Sequence, residues 1–195
     1  MFKVYLDQDG VLADFDRGLL EGHGIKNCKK NYSTPWEHKS SEQRKLAHDV
    51  IKAMEVPGFF QNLPVMKDAH KLWMIAGPSS CIVLTAVPNL SCDARIAREK
   101  RIWIEDNFSH VPDDRFIACL KSEKSNYATY HKLVKQNEPC NAGMFTQWDP
   151  MPNILVDDDE GNCSRWREAG GIAILFENMD DTIKILNDTI NKMAA

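Results

Sequence analysis

The amino-acid sequence predicts an α/β protein built on a Rossmann-like parallel sheet with helices on both faces. Two patterns predict this class: short apolar runs with the length of buried strands, and amphipathic stretches of helical period between them. Strands that alternate with helices form parallel sheets, because each crossover helix packs back onto a face of the sheet. The length of 195 residues suits one domain with room for a small insertion.

The predicted elements alternate most clearly in the second half of the chain. The strands cover residues 2–6, 81–84, 115–119, 153–156 and 172–176. The helices cover residues 91–108, 124–135, 162–169 and 180–193. Gly170 and Gly171 favour a helix end just after residue 169, because glycine readily adopts the left-handed conformation that often closes a helix.

Residues 16–74 interrupt this alternation. The segment is polar and rich in Lys, His and Glu, with a helical pattern over residues 42–54. We therefore predict a small, mostly helical cap inserted after the first strand. The core domain would then comprise residues 1–15 and 75–195.

Composition limits the classes of function. A net charge of −4 argues against a broad surface for a nucleic acid polymer, which would need excess Lys and Arg. No apolar run approaches membrane-spanning length, and no secretory signal precedes the first strand. The six cysteines include no Cys-x-x-Cys spacing, which disfavours a zinc site. We expect a cytoplasmic protein with free thiols that binds no membrane, and its oligomeric state is open, a homodimer included.

Side chains suited to phosphate chemistry stand at or just after three of the predicted strands. The first strand is followed by the acid pair Asp7 and Asp9, and the second by Thr85, whose hydroxyl can bind a phosphate oxygen. Lys124 follows the third strand and can neutralise a phosphoryl group, with Lys121 as a nearby alternative. Each residue type is also common at ordinary turns and surfaces, so the prediction depends on their order along the chain.

Three consecutive acids, Asp157, Asp158 and Asp159, follow the fourth strand. Their like charges repel and favour a nearby cation, and oxygen ligands select a hard ion such as Mg²⁺. An acidic turn that caps the next helix is the alternative interpretation. Because the carboxyl ends of parallel strands meet at one edge of a sheet, we expect these acids to lie beside Asp7 and Asp9.

This order resembles the four motifs of the haloacid dehalogenase superfamily of phosphatases, and the resemblance implies that superfamily's core fold. The matching positions are Asp7-x-Asp9-Gly10-Val11, Thr85, Lys124 and Asp157-Asp158. Longer strings are similar to the 5′(3′)-deoxyribonucleotidase family, including its bacterial and phage members. They are residues 6–15, 57–60 with Leu63, 124–128 and 154–158, leading into Asn162, Trp166 and Gly170-Gly171. The resemblance spans nearly the whole chain, but Ala86-Val87 stands where the eukaryotic members have Ser-Pro.

The resemblance implies a mechanism for each motif. Asp7 would attack phosphorus and form an aspartyl-phosphate, and Asp9 would act as general acid and then as general base. Mg²⁺ would be held by Asp7, the carbonyl of Asp9 and one of Asp157 and Asp158, a choice that the sequence leaves open. Thr85 and Lys124 would hold phosphate oxygens. With Ala86 in place of the Ser of the eukaryotic members, one hydroxyl contact to phosphate would be missing or replaced by the backbone.

The resemblance also implies a nucleoside monophosphate as substrate, with Phe15 near the base. Trp36, Phe59 and Phe60 are further aromatic candidates for the pocket, although Phe59 and Phe60 fit the core of a packed cap slightly better. Two alternatives stay open: a phosphatase of the same fold that acts on a sugar phosphate or another small ester, and a non-catalytic protein that binds a phosphate ligand. The presence of Asp9 favours catalysis, because a degenerate copy would be expected to lack it.

Overall fold

The structure, a computed structural model, describes residues 2–26, 40–78, 80–88, 93–108, 111–131 and 150–194. The strands are β1 (Val4–Leu6), β2 (Ile82–Ala86), β3 (Phe116–Cys119), β4 (Thr129–His131), β5 (Pro150–Pro152), β6 (Ile154–Asp157) and β7 (Ile172–Leu175). Five of them form a parallel sheet in the order β3-β2-β1-β6-β7, and β4 pairs with β5 in an antiparallel ribbon. The parallel α/β class predicted from the sequence is confirmed.

The helices of the described residues are α1 (Phe15–His23), α2 (Ser41–Glu55), α3 (Ala69–Ala76), α4 (Asp93–Asn107), α5 (Glu160–Glu168) and α6 (Met179–Ala194). Short 3-10 helices cover Phe60–Asn62, Asp113–Arg115 and Lys121–Tyr127. None of the helices in the described part of the chain is both long and apolar enough to cross a membrane.

The two faces of the sheet pack against different helices, because successive strand residues point to opposite sides. Val4 and Leu6 belong to the large apolar cluster that includes residues of α3, α4 and α6. Tyr5, which lies between them, packs on the other face against Trp166 of α5, with ring centroids 5.4 Å apart. The prediction of helices on both faces is therefore confirmed, as expected for a parallel sheet that must be buried on each side.

The helix predicted over residues 124–135 is wrong within the described residues. The chain forms the 3-10 helix Lys121–Tyr127 and then enters β4, while residues 132–135 lie outside the described part. β4 pairs with β5, which follows about twenty residues later. β4 is a strand because it pairs with this distant segment, so its own sequence shows no strand period that could be recognised. The preference of a segment for a strand depends strongly on such partners.

The predicted cap segment contains α1 from its second residue, all of α2 and the first part of α3. The helix predicted over residues 42–54 is α2, which begins after Ser40, whose hydroxyl accepts a hydrogen bond from the backbone N–H of Gln43 at 3.1 Å. α3 runs across the predicted boundary between residues 74 and 75, and it packs against α6. The division into core and cap stays a prediction.

Candidate active site

The predicted acids meet at the carboxyl ends of the central strand β1 and its neighbour β6. The chain moves from β1 through β2 to β3 on one side and then crosses to β6 on the other. Sheets of this kind bind ligands in the crevice where the strand order reverses. Asp7 follows β1 directly, and its backbone N–H donates to the carbonyl of Val156 in β6 at 2.9 Å.

A tight loop after β1 brings Asp9 and Gly10 back over the strand end. The carbonyl of Gln8 accepts hydrogen bonds from the backbone N–H groups of Leu12 and Ala13 at 2.9 and 2.8 Å. Gly10 has a φ of 78°, and a Cβ atom placed there would stand 2.1 Å from Oδ2 of Asp158. Glycine is therefore required at this position both for the backbone conformation and for the approach of Asp158.

Three carboxylates converge at this edge of the sheet. Asp7, Asp157 and Asp158 each offer an oxygen, and these oxygens lie within 4.8 Å of one another. Asp7 and Asp157 are buried, whereas Asp158 is half-buried. Closely spaced carboxylate oxygens are the donor set that hard divalent cations prefer, so the arrangement fits Mg²⁺.

Lys124 links two of these acids. Its Nζ lies 2.9 Å from Oδ1 of Asp7 and 2.8 Å from Oδ2 of Asp157, and only 1% of the residue is exposed. Burial alone would lower the pKa of this ammonium, but the two carboxylates outweigh it and raise the pKa above the ordinary lysine value. Lys124 therefore stays charged in the centre of the site.

The carboxyl group of Asp7 titrates far from its ordinary range. Burial raises its pKa to about 8, although Lys124 acts in the opposite direction. The neighbouring charges of Asp157, Asp158 and Asp9 add to the increase. An added cation at this cluster would favour the ionised form of Asp7 by the same electrostatic rule.

Asp157 is held firmly by its neighbours. Its Oδ1 accepts hydrogen bonds from the backbone N–H of Asp159 at 2.9 Å and from Nδ2 of Asn162 at 3.0 Å. Its Oδ2 accepts from Nζ of Lys124 at 2.8 Å and from Nδ2 of Asn162 at 3.1 Å. Both oxygens of Asp157 are thus already engaged within the protein.

Lys100 in α4 is a site residue that the sequence analysis missed. Its Nζ donates to Oδ2 of Asp9 at 2.5 Å, to Oγ1 of Thr85 at 2.9 Å and to the carbonyl of Ala86 at 2.6 Å, and only 1% of the residue is exposed. The sequence does indicate that Lys100 lies on the buried side of α4. It is three or four residues from Ile96, Trp103 and Ile104, all of them buried. A lysine on the apolar side of an amphipathic helix needs a buried partner, and here that partner is Asp9.

A cavity of about 200 Å³ opens above these groups. Its floor includes Asp7, Asp9, Gly10 and Asp158. Thr85, Lys124 and Asp157 are not among the lining residues and lie beneath this floor. The larger apolar lining residues, together called the apolar wall, are Phe15, Met54, Phe60, Val87 and Pro88. The cavity therefore presents carboxylates at its base and an apolar surface beside them.

The aromatic candidates differ in their positions. Phe15 and Phe60 both line the cavity. Phe59 packs edge-on against each of them, with ring centroids 5.5 and 5.1 Å away, and it is not a lining residue. Phe59 thus supports the wall from behind. Trp36 lies outside the described residues.

Lys121 and Asp159 form an ion pair at the rim of the cavity. Nζ of Lys121 lies 2.8 Å from Oδ2 of Asp159, and both residues line the cavity. Burial would raise the pKa of Asp159, but the hydrogen bond from Lys121 and the N–H of Asn162 lower it overall. The side chain of Lys121 is 53% exposed, in contrast to the buried Lys124.

Several solved structures are similar to this chain, whereas family models are not. No protein-family model matches the chain. A hydrolase from Streptococcus pneumoniae TIGR4 is 10% identical, with a TM-score of 0.45 over 95% of this chain and 97% of the other. A hydrolase of the haloacid dehalogenase-like family, also from Streptococcus pneumoniae, is 10% identical, with a TM-score of 0.49 over 100% and 99% of the two chains. A Bacteroides fragilis protein provisionally described as a haloacid dehalogenase-like hydrolase is 17% identical, with a TM-score of 0.46 over 95% and 93%.

Proposed function

We propose that the protein is a magnesium-dependent phosphomonoesterase that uses Asp7 as its nucleophile. The observation that carries the proposal is the convergence of Asp7, Asp157 and Asp158 beside the buried ammonium of Lys124 at the base of an open cavity. A carboxylate can attack the phosphorus of an ester only where its negative charge and that of the phosphate are both offset. Lys124 supplies one fixed positive charge at this point.

The side chains can carry out two balanced steps. In the first, an oxygen of Asp7 bonds to phosphorus, the ester P–O bond breaks, and Asp9 gives its proton to the departing alkoxide. In the second, Asp9 takes a proton from a water molecule that attacks phosphorus, and the bond from phosphorus to Asp7 breaks. The hydrogen bond from Lys100 to Oδ2 of Asp9 would orient this carboxyl group for both steps.

The acid cluster fits a magnesium ion. Asp7 and Asp158 line the cavity, whereas both oxygens of Asp157 already accept hydrogen bonds. We therefore assign Asp158 and Asp7 as direct ligands and Asp157 as the residue that orients Lys124, with the carbonyl of Asp9 as a third ligand. When bound, the ion offsets the negative charge of the phosphate and of the approaching carboxylate.

A nucleoside monophosphate is the proposed substrate. The apolar wall suits a flat, weakly polar group attached to the phosphate, and Phe15 and Phe60 offer aromatic surface to a base. A sugar phosphate is the second candidate, because the rim pair of Lys121 and Asp159 can bind hydroxyl groups. A protein that only bound phosphate would have no need for the bond from Lys100 to Asp9.

Phosphate release with Mg²⁺ from deoxyribonucleoside and ribonucleoside monophosphates and from several sugar phosphates tests the proposal. Asp7→Asn is assayed in parallel, since an amide cannot act as the nucleophile, and turnover should fall by roughly 10⁴-fold or more. Addition of a chelator to the wild-type enzyme should also abolish release. Release from sugar phosphates alone would support the mechanism but contradict a nucleotide as the substrate. An active Asp7→Asn variant would contradict the assignment of Asp7 as the nucleophile.

A further inference from the structure

Glu99 is a buried carboxylate that the proposed chemistry does not use. It stands next to Lys100 in α4 and is only 6% exposed. Its Oε1 accepts hydrogen bonds from the backbone N–H of Gly58 at 2.8 Å and from Nη1 of Arg95 at 2.5 Å. Its Oε2 accepts from the backbone N–H of Phe60 at 3.3 Å. Glu99 therefore joins α4 to the turn that follows α2.

Arg95 extends the same connection to the end of α2. Its Nη2 donates to the carbonyls of Glu55 at 2.9 Å and Met54 at 3.5 Å, and its Nη1 donates to the carbonyl of Val56 at 3.3 Å. The last carbonyls of a helix lack partners within the helix, and a positive charge is favoured there. The Arg95–Glu99 pair thus binds both the helix end and the turn after it.

The segment that this pair anchors forms part of the cavity. Met54 and Phe60 belong to the apolar wall. The next residue of α4, Lys100, contacts Asp9 and also lies over the ring of Phe60, with Nζ 4.8 Å from the ring centroid. Consecutive residues of one helix therefore hold the wall and the general acid, which fixes the spacing between them.

We propose that Arg95 and Glu99 are positioning residues that set the apolar wall at the distance required by a phosphate ester with a flat ring. The inference rests on the proposed phosphatase function and deepens it. Neither Arg95 nor Glu99 lines the cavity, so both would act through the segment that contains Met54 and Phe60. Their loss should weaken the binding of ring-bearing esters and leave the chemical step intact.

Glu99→Gln tests the proposal with little change of shape. The amide replaces one oxygen by an NH₂ group, which would face the N–H donor of Gly58 or Phe60 without an acceptor. We expect KM for thymidine 5′-monophosphate and for phenyl phosphate to rise about tenfold, as for the loss of one charge-assisted hydrogen bond, with kcat within about twofold. KM for glycerol phosphate, which has no ring, should change by less than about twofold on the same reasoning.

Glu105→Gln is the matched control. Glu105 lies in the same helix and pairs with Arg101 at 2.9 Å in the same four-residue spacing, but its side chain is 50% exposed. This variant should leave all three KM values unchanged. Thermal unfolding of each variant records any general loss of stability.

The changes of KM and kcat for the three esters distinguish a positioning role from a general loss of structure. An equal rise of KM for all three esters, or a fall of kcat for all of them, would show a structural role and overturn the proposal. If Glu99→Gln does not fold, Arg95→Lys, which keeps the charge but loses the forked geometry, should show the same selectivity for ring-bearing esters. Absence of turnover by the wild-type enzyme on every ester would instead refute the proposed function itself.

Discussion

Two buried lysines contact the acids at the carboxyl end of β1, but they have different partners. Lys124 lies between two carboxylates, those of Asp7 and Asp157. Lys100 binds one carboxylate, that of Asp9, and two neutral oxygens, from Thr85 and Ala86. Each member of the acid pair after β1 therefore has its own cation, supplied from a different side of the sheet.

This difference suggests a division of work between the two sides. A lysine between two acids mainly offsets charge, and Lys124 would do so for the proposed nucleophile Asp7 whatever alcohol leaves. A lysine bound to one acid and two neutral groups mainly fixes an orientation, here that of Asp9, the proposed general acid. The two lysines should therefore differ in how their loss depends on the leaving group.

Among substitutions of the two buried lysines and their neighbours Thr85 and Lys121, Lys124→Met should produce the largest effect. Removal of the ammonium leaves Asp7 and Asp157 without their buried cation, and kcat should fall by roughly 10³-fold, the scale of a lost electrostatic contact in an active site. The loss should be the same for methyl phosphate and for p-nitrophenyl phosphate. Steady-state kinetics on both esters, with thermal unfolding as a check of folding, measure it. A loss confined to the poorer leaving group would exchange the roles assigned to the two lysines.

Lys100→Met should have a smaller effect that depends on the leaving group. Without its contact, Asp9 loses its fixed orientation, and kcat for methyl phosphate should fall by about 10²-fold, the lower range for general acid catalysis. p-Nitrophenolate leaves without protonation, so its ester should lose only about threefold by the same argument. Equal losses for the two esters would show that Lys100 acts on charge in general.

The contrast between the lysines also explains what could be predicted from the sequence. Lys124 lies five residues after the end of β3. Because strand ends meet at one edge of a parallel sheet, its place near the acids could be inferred from the chain order. Lys100 lies within α4, where its contact with Asp9 spans about ninety residues and depends on how that helix packs. A periodic pattern shows that a lysine is on the buried side of a helix, but not which acid it meets.

The same distinction applies to the fold. The five strands of the parallel sheet and the helices α2, α4, α5 and α6 could be predicted from the sequence, because each strand is a short apolar run and each helix has a helical period. The pairing of β4 with β5 and the junction of Arg95 and Glu99 with residues 54–60 depend on distant segments. The proposed preference for Asp158 over Asp157 as a metal ligand rests on the bonds of Asn162 to Asp157, which adjacency in sequence cannot show.

Thr85→Val tests whether the hydroxyl of Thr85 acts through its hydrogen bond with Lys100. The Oγ1 of Thr85 accepts from Nζ of Lys100, so its loss should disturb the same orientation and reduce kcat for methyl phosphate about tenfold, within the range for one polar contact in a site. In the double variant Lys100→Met/Thr85→Val the two losses should not multiply, because residues in one network are coupled. Fully multiplied losses would place Thr85 on the phosphate independently of Lys100.

Lys121→Ala should give the smallest effect and serves as the solvent-exposed counterpart of the two buried lysines. Lys121 pairs with Asp159 at the rim, and its side chain is 53% exposed, so water and salt screen its charge. Such surface pairs contribute little, and we expect kcat/KM for p-nitrophenyl phosphate to fall by no more than about threefold. Assays at low and high ionic strength should show that this small effect shrinks as salt increases. A loss as large as that of Lys124→Met would move the phosphate-binding role to Lys121 and leave Lys124 as a structural partner of the acids.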